Sequence, residues 1–235
     1  MTRILNAAKL DYLTGRFYLA LYPILFLVGL LIGTVAKMPI FTIVLVIVLA
    51  VFIAGGVFSV NERNHGEKMY ATLPLDRRDM VIGRYVYALV LGILATIIAS
   101  LLGFLASWIS GADMGQLGPA RGSLATTPAM ATMIFWFAVG FAFLYFCFAI
   151  AVAFPIYFRF GFSRSYIFTM LPLYLVVLGA LLVTRKLNPS LDLNNTIQFF
   201  INHTYLLPII GVVAGLILMA ISIVISIGIY KNKEI

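Results

Sequence analysis

Charge is what this sequence has least of. Only 8 of its 235 residues are acidic and 16 are basic, so 10% are charged, against about a quarter in an average soluble chain. So few charges cannot cover a water-facing surface. With 63% hydrophobic residues and a mean hydropathy of +1.09, the composition excludes an ordinary soluble domain and a disordered chain alike. The single cysteine, Cys147, excludes a disulfide scaffold and any Cys-x-x-Cys site, and reads as a small buried hydrophobe. Neither His-Glu-x-x-His nor Gly-x-x-x-x-Gly-Lys-Ser/Thr occurs, so a common zinc site and the phosphate-cradling loop of ATP-binding chains are both missing.

Long hydrophobic runs take the place of these features. Between consecutive charged residues lie the runs 17–36, 38–61, 85–112, 122–158, 165–184 and 193–230. A helix rising 1.5 Å per residue needs about 20 apolar residues to cross about 30 Å of hydrocarbon, and each run suffices. A transmembrane barrel would alternate polar and apolar residues, whereas Val44 to Ile53 is apolar at every position. The sequence therefore predicts an all-α polytopic membrane protein, a single transmembrane domain over 1–235 with six transmembrane helices. These fall near 17–36, 39–60, 85–110, 130–154, 166–184 and 206–229.

Basic residues orient these spans, because cytoplasmic flanks are enriched in Lys and Arg. One side carries Arg3, Lys9, Arg16, Arg63, Lys68, Arg77, Arg78, Arg84, Arg159, Arg164, Lys231 and Lys233; the other carries only Lys37, Arg121, Arg185 and Lys186. Twelve against four predicts that both termini are cytoplasmic. The net charge of +8 then reports topology and attraction to anionic headgroups, and no nucleic-acid partner is implied by basic residues scattered over separate membrane flanks. In this topology His65 and His203 lie on opposite sides and cannot share a metal.

Residues 1–16 are expected to form an N-terminal interfacial helix, with Ile4, Leu5, Ala8 and Tyr12 along an apolar stripe and Arg3, Lys9 and Asp11 outside it. A removable signal peptide fits less well, since the apolar run after Arg16 exceeds the usual 7–15 residues. Lys37-Met38-Pro39 permits only a tight turn, so the first two spans form an antiparallel hairpin. Pro23, Pro172 and Gly55-Gly56 lie within spans and read as packing kinks. Gly29 with Gly33, and Gly211 with Gly215, permit close helix approach, either within the subunit or between subunits. Segments 111–129 and 185–205 read as outer loops.

Ion-coupled carriers usually keep Asp, Glu, Lys, Arg or His at membrane depth, and these spans hold none. Attention moves to residues 61–85, which hold nine of the 24 charged residues. Glu62, Arg63, Glu67 and Lys68 share a short predicted helix with the apolar Met69, Tyr70 and Leu73; Pro74 breaks it, and Asp76 is placed to cap a second helix leading into the membrane. A partly apolar, charged knob between two spans is a docking element, whereas charges serving only as span anchors would leave its apolar middle unexplained.

The pattern of Glu62, Thr72-Leu73-Pro74, Arg77-Arg78, Val81 and Arg84-Tyr85 resembles that of the permease subunits of bacterial type-two ABC exporters. The layout resembles them too: an interfacial helix, six spans, a coupling loop between spans two and three, and a long final outer loop. What the resemblance implies is a multi-pass subunit of the bacterial plasma membrane that pairs with a second permease chain, identical or different, and with a separate cytosolic ABC ATPase. ATP and Mg would be held by that ATPase and no cofactor by this chain. The implied coupling residues are Glu62, Arg63, Glu67, Tyr70, Leu73, Pro74, Arg77 and Arg78 of the loop 61–84, with Arg159 and Arg164 in the second inner loop making a smaller contact. The expected function is outward movement of a hydrophobic or amphipathic substrate, peptide or drug-like. The aromatic fourth span, from Phe135 and Trp136 through Phe141 to Phe148, motivates that substrate class. The alternative is a membrane scaffold or sensor that binds a cytosolic partner without transport. An embedded enzyme is disfavoured, because no cluster of Asp, Glu, His or Cys converges at one membrane face.

Overall fold

A computed structural model describes residues 2–19, 22–35, 37, 39–64, 76–111, 128–165, 167, 172, 174 and 205–231. Among them are seven helices and no strand: α1 Thr2–Leu19, α2 Tyr22–Val35, α3 Pro39–Arg63, α4 Arg77–Ser110, α5 Pro128–Phe160, α6 Phe162–Ser165 and α7 Leu206–Lys231. Four of these, α3, α4, α5 and α7, are long and apolar enough to cross a bilayer. The fifth expected span, 166–184, lies outside the described residues except for Ile167, Pro172 and Tyr174. The two expected outer loops likewise fall almost wholly outside them.

The first expected span, 17–36, is helical at its described residues 17–19 and 22–35. The interfacial helix continues to Leu19, and α2 begins at Tyr22, with Pro23 in its first turn. The 14 described residues of α2 account for about 21 Å of rise. The hairpin is present: Lys37, at φ 53°, turns the chain and its N–H donates to the Thr34 carbonyl at 3.2 Å before α3 begins at Pro39. Gly29 and Gly33 seat α2 on α3. A Cβ on Gly29 would lie 3.3 Å from Leu45, and one on Gly33 would collide with the Thr42 hydroxyl, which donates to the Gly29 carbonyl at 3.3 Å.

Helices α4 and α5 outrun their predicted spans. At 34 and 33 residues each rises about 50 Å, so some 20 Å of each projects beyond the hydrocarbon. Hydropathy sees only the apolar part, and the projecting turns carry Arg77, Arg78, Asp79 and Arg159. Pro155, just past the expected end of the fourth span, is absorbed within α5. Two left-handed glycines stop these helices, Gly111 at φ 60° and Gly161 at φ 80°, where other side chains would be strained.

At the centre sit α3 and α5, each 61% buried over its apolar window, while α4 and α7 at 33% and 28% turn most of their surface outward. Between α4 and its neighbours runs a seam of mostly small residues, Val81, Tyr85, Ala88, Gly92, Ala95, Ala99, Gly103 and Ala106, all buried at spacings of three and four. A narrower seam on α7, Gly211, Gly215, Met219, Ser222, Ser226 and Tyr230, packs on α5. There a Cβ on Gly211 would sit 2.7 Å from the Gly140 carbonyl oxygen, and one on Gly215 would sit 3.0 Å from Cys147 Sγ. Both sequence glycine pairs therefore serve packing within the subunit, where backbones approach closely because lipid offers no hydrophobic drive to helix association.

Candidate functional site

The projecting ends of α3, α4 and α5, the end of α7, α6 and α1 meet at one end of the bundle, the end rich in Arg and Lys. Glu62 stands in the last turn of α3, exposed, and its Oε2 accepts the backbone N–H of Ser163 at 2.8 Å. Local structure explains the bond. Gly161 reverses the chain after α5, and its N–H closes on the Tyr157 carbonyl at 3.0 Å. The single turn α6 follows at once, and its first N–H groups have no intrahelical acceptor. A carboxylate satisfies one of them with a charge-assisted bond. Glu62 thus joins the start of the segment 61–84 to the loop after α5, 101 residues away.

The remaining predicted site residues fall around this junction. Arg63 is exposed at the C-terminal end of α3, where a positive charge suits the helix dipole. Arg77 Nη1 donates to the Lys231 carbonyl at 3.2 Å, tying the start of α4 to the end of α7. Arg78 and Arg164 are exposed, and Arg159 lies over the Phe160 ring at 5.1 Å. Asp76 occupies the N-cap position of α4 with extended backbone, φ −69° and ψ 144°, but its side chain makes no capping bond. Glu67, Tyr70, Leu73 and Pro74 lie outside the described residues.

Sequence reasoning missed the most buried charges in this region. Asp11 on α1 and Arg84 on α4 form an ion pair at 3.7 Å, with side chains 4% and 12% exposed. The guanidinium also lies over the rings of Phe58 at 4.4 Å and Phe158 at 5.4 Å. Phe58 packs on Phe154 at 4.9 Å and on Phe158 at 5.1 Å, and Phe158 on Tyr230 at 5.4 Å. One cation therefore touches α1, α3, α4 and α5, and through Phe158 it reaches α7. The expected face of α1 is corrected here. Ala7, Asp11 and Gly15 are buried, whereas Leu5 and Tyr12 point outward, because apolar groups are welcome against lipid and the carboxylate needs its partner. The usable signal was the four-residue spacing of Ala7, Asp11 and Gly15, small enough at its ends for close contact: a Cβ on Gly83 would lie 2.7 Å from that of Ala7.

Next along α4, Tyr85 bonds Ser222 Oγ at 2.6 Å and Ser226 Oγ at 2.8 Å, while Ser222 donates to the Ala151 carbonyl at 2.8 Å. Each hydroxyl has one proton. With that of Ser222 given to Ala151, the Tyr85 hydroxyl donates to Ser222 and accepts from Ser226. This chain of bonds clamps α4, α5 and α7 behind the ion pair. The basic end is thus a cross-linked unit with an exposed, mainly positive rim.

Long apolar helices packed along small-residue seams around an aromatic and aliphatic core, with the charge of the described helices gathered at one end, define a polytopic α-helical membrane protein. The family model described as ABC-2 family transporter protein matches residues 9–231, and the chain belongs to that family, whose members are membrane components of ABC transporters. A comparison with curated proteins gave no match.

Proposed function

We propose that this chain is the permease subunit of an ATP-driven exporter, acting with a second permease chain and with a separate ATPase that docks on the basic end. The orientation argued from the basic residues puts that end in the cytosol of a bacterial cell, with the chain in its plasma membrane. ATP and Mg bind the ATPase, and the chain here supplies the moving helices. The bond between Glu62 and Ser163 is the observation that carries this reading. It ties the start of the predicted docking segment 61–84 to the loop after α5, and supports a path by which a push there reaches α3 and α5, the two central helices. Closure of the ATPases shifts the permease only if the docking surface binds their two states with different affinity. Apolar spans with outward aromatic side chains such as Trp136, Phe137 and Phe141 favour a hydrophobic or amphipathic substrate, peptide or drug-like.

The test is co-purification with the ATPase and ATP-dependent efflux from vesicles. Leu73→Asp and Arg78→Glu are expected to abolish both, without loss of the permease from the membrane. Retention of ATPase binding and efflux in both variants refutes the docking assignment, and efflux driven by a salt or pH gradient without nucleotide refutes the exporter reading itself.

A further inference from the structure

A cavity of about 470 Å³ lies between α1, α2 and α4. That volume falls within the range of roughly 300–1,000 Å³ typical of small-molecule sites. Its floor is buried, at Tyr87, Leu91 and Ala95, and its lip is formed by outward side chains such as Leu5, Val90 and Leu94, so it runs from the packed interior to the lipid-facing surface. Along α4 the lining extends from Val86 to Ile98, about 18 Å of helix rise. Beside α1 it includes Lys9, two residues from the Asp11 that pairs with Arg84. Arg84 immediately precedes the apolar part of α4. Lys9 therefore sits at headgroup level, and Ile98, fourteen residues beyond Arg84, about 21 Å along the helix. The cavity is long, apolar along its length and cationic at its interfacial end.

One polar feature points to an occupant. Lys9 is exposed and has no ion-pair partner among the described residues, the nearby Asp11 being engaged by Arg84. An acyl chain gains little by leaving bilayer hydrocarbon for an equally apolar cavity, so any selectivity must come from the polar end. We propose that the cavity is a binding site for a resident anionic phospholipid, with one acyl chain along Val86 to Ile98 and the phosphate-bearing headgroup at the Lys9 ammonium. This assignment needs only the membrane setting and stands apart from the exporter reading.

The full chain, reconstituted in nanodiscs of equal phosphatidylglycerol and phosphatidylethanolamine, is gently released and its retained lipid is identified by native mass spectrometry. The wild-type protein is expected to hold phosphatidylglycerol over phosphatidylethanolamine by about fivefold, the factor that one lysine near an anionic surface contributes. Lys9→Glu removes the preference and Lys9→Arg keeps it. Val90→Trp, at the exposed lip, lowers retention of both lipids. Both positions are outward-facing, so folding is not the quantity being changed. Parity in the wild-type protein, an unchanged ratio in Lys9→Glu, or full retention in Val90→Trp overturns the proposal. So does efficient cross-linking of Val90→Cys between two copies in the membrane, which would mean that a second chain covers the cavity.

Discussion

Replace Arg84 by methionine and the buried Asp11 loses the cation that offsets its desolvation. At the observed 3.7 Å, with the effective dielectric of about 20 that suits protein sites, the Coulomb attraction of the pair is about 4.5 kcal/mol. Desolvation of both groups consumes most of this, so the intact pair is worth little net, yet a lone survivor costs about 3–5 kcal/mol. Arg84→Met is expected at the upper part of that range, because it also removes the contacts with Phe58 and Phe158. Asp11→Asn falls lower, since Arg84 keeps those rings. In the double variant no buried charge is stranded, and its loss should fall short of the summed single losses by about 3 kcal/mol. Reversible unfolding of all four proteins in mixed detergent–SDS micelles measures the cycle. Additivity within about 0.5 kcal/mol, the behaviour of uncoupled sites, refutes the claim that this pair fastens α1 to the bundle.

Other perturbations follow from the same contacts. Gly140→Ala puts a Cβ into the Pro208 backbone and must spread α5 from α7, at a cost of about 1–3 kcal/mol, whereas Gly228→Ala meets nothing and gains up to about 1 kcal/mol of helix propensity. Equal unfolding free energies for these two variants would contradict the packing described for α7. Glu62→Gln exchanges a charge-assisted bond for a neutral one, worth about 1 kcal/mol, and hydrogen exchange at the Ser163 amide should quicken about fivefold. An unchanged exchange rate there would detach α6 from α3.

Much of the architecture was legible locally. The expected spans 39–60 and 206–229 sit inside Pro39–Arg63 and Leu206–Lys231, because a bilayer sorts residues by polarity and that property belongs to each segment alone. Helix ends were less visible. The start of α4 could be read from Asp76, its N-cap, but the end of α5 could not, because Pro155 lies inside it and hydrogen bonding carries a helix past the point where hydropathy falls. Glu62 could be nominated as a docking residue from the charge density around it, but its acceptor role toward Ser163 could not, because that bond spans 101 residues.

What the sequence determined by itself was placement relative to the membrane: which stretches are apolar enough to be buried in lipid, and which end of the bundle gathers the arginines and lysines. Transfer of a residue from water to hydrocarbon is a one-body energy, and it can be summed along the chain. Tertiary structure alone decided that Asp11 turns inward to Arg84, that Tyr85 finds two serines on α7, and that the cavity beside Lys9 exists. These are pair energies, falling off within a few ångströms, and they have no value until the helices have met.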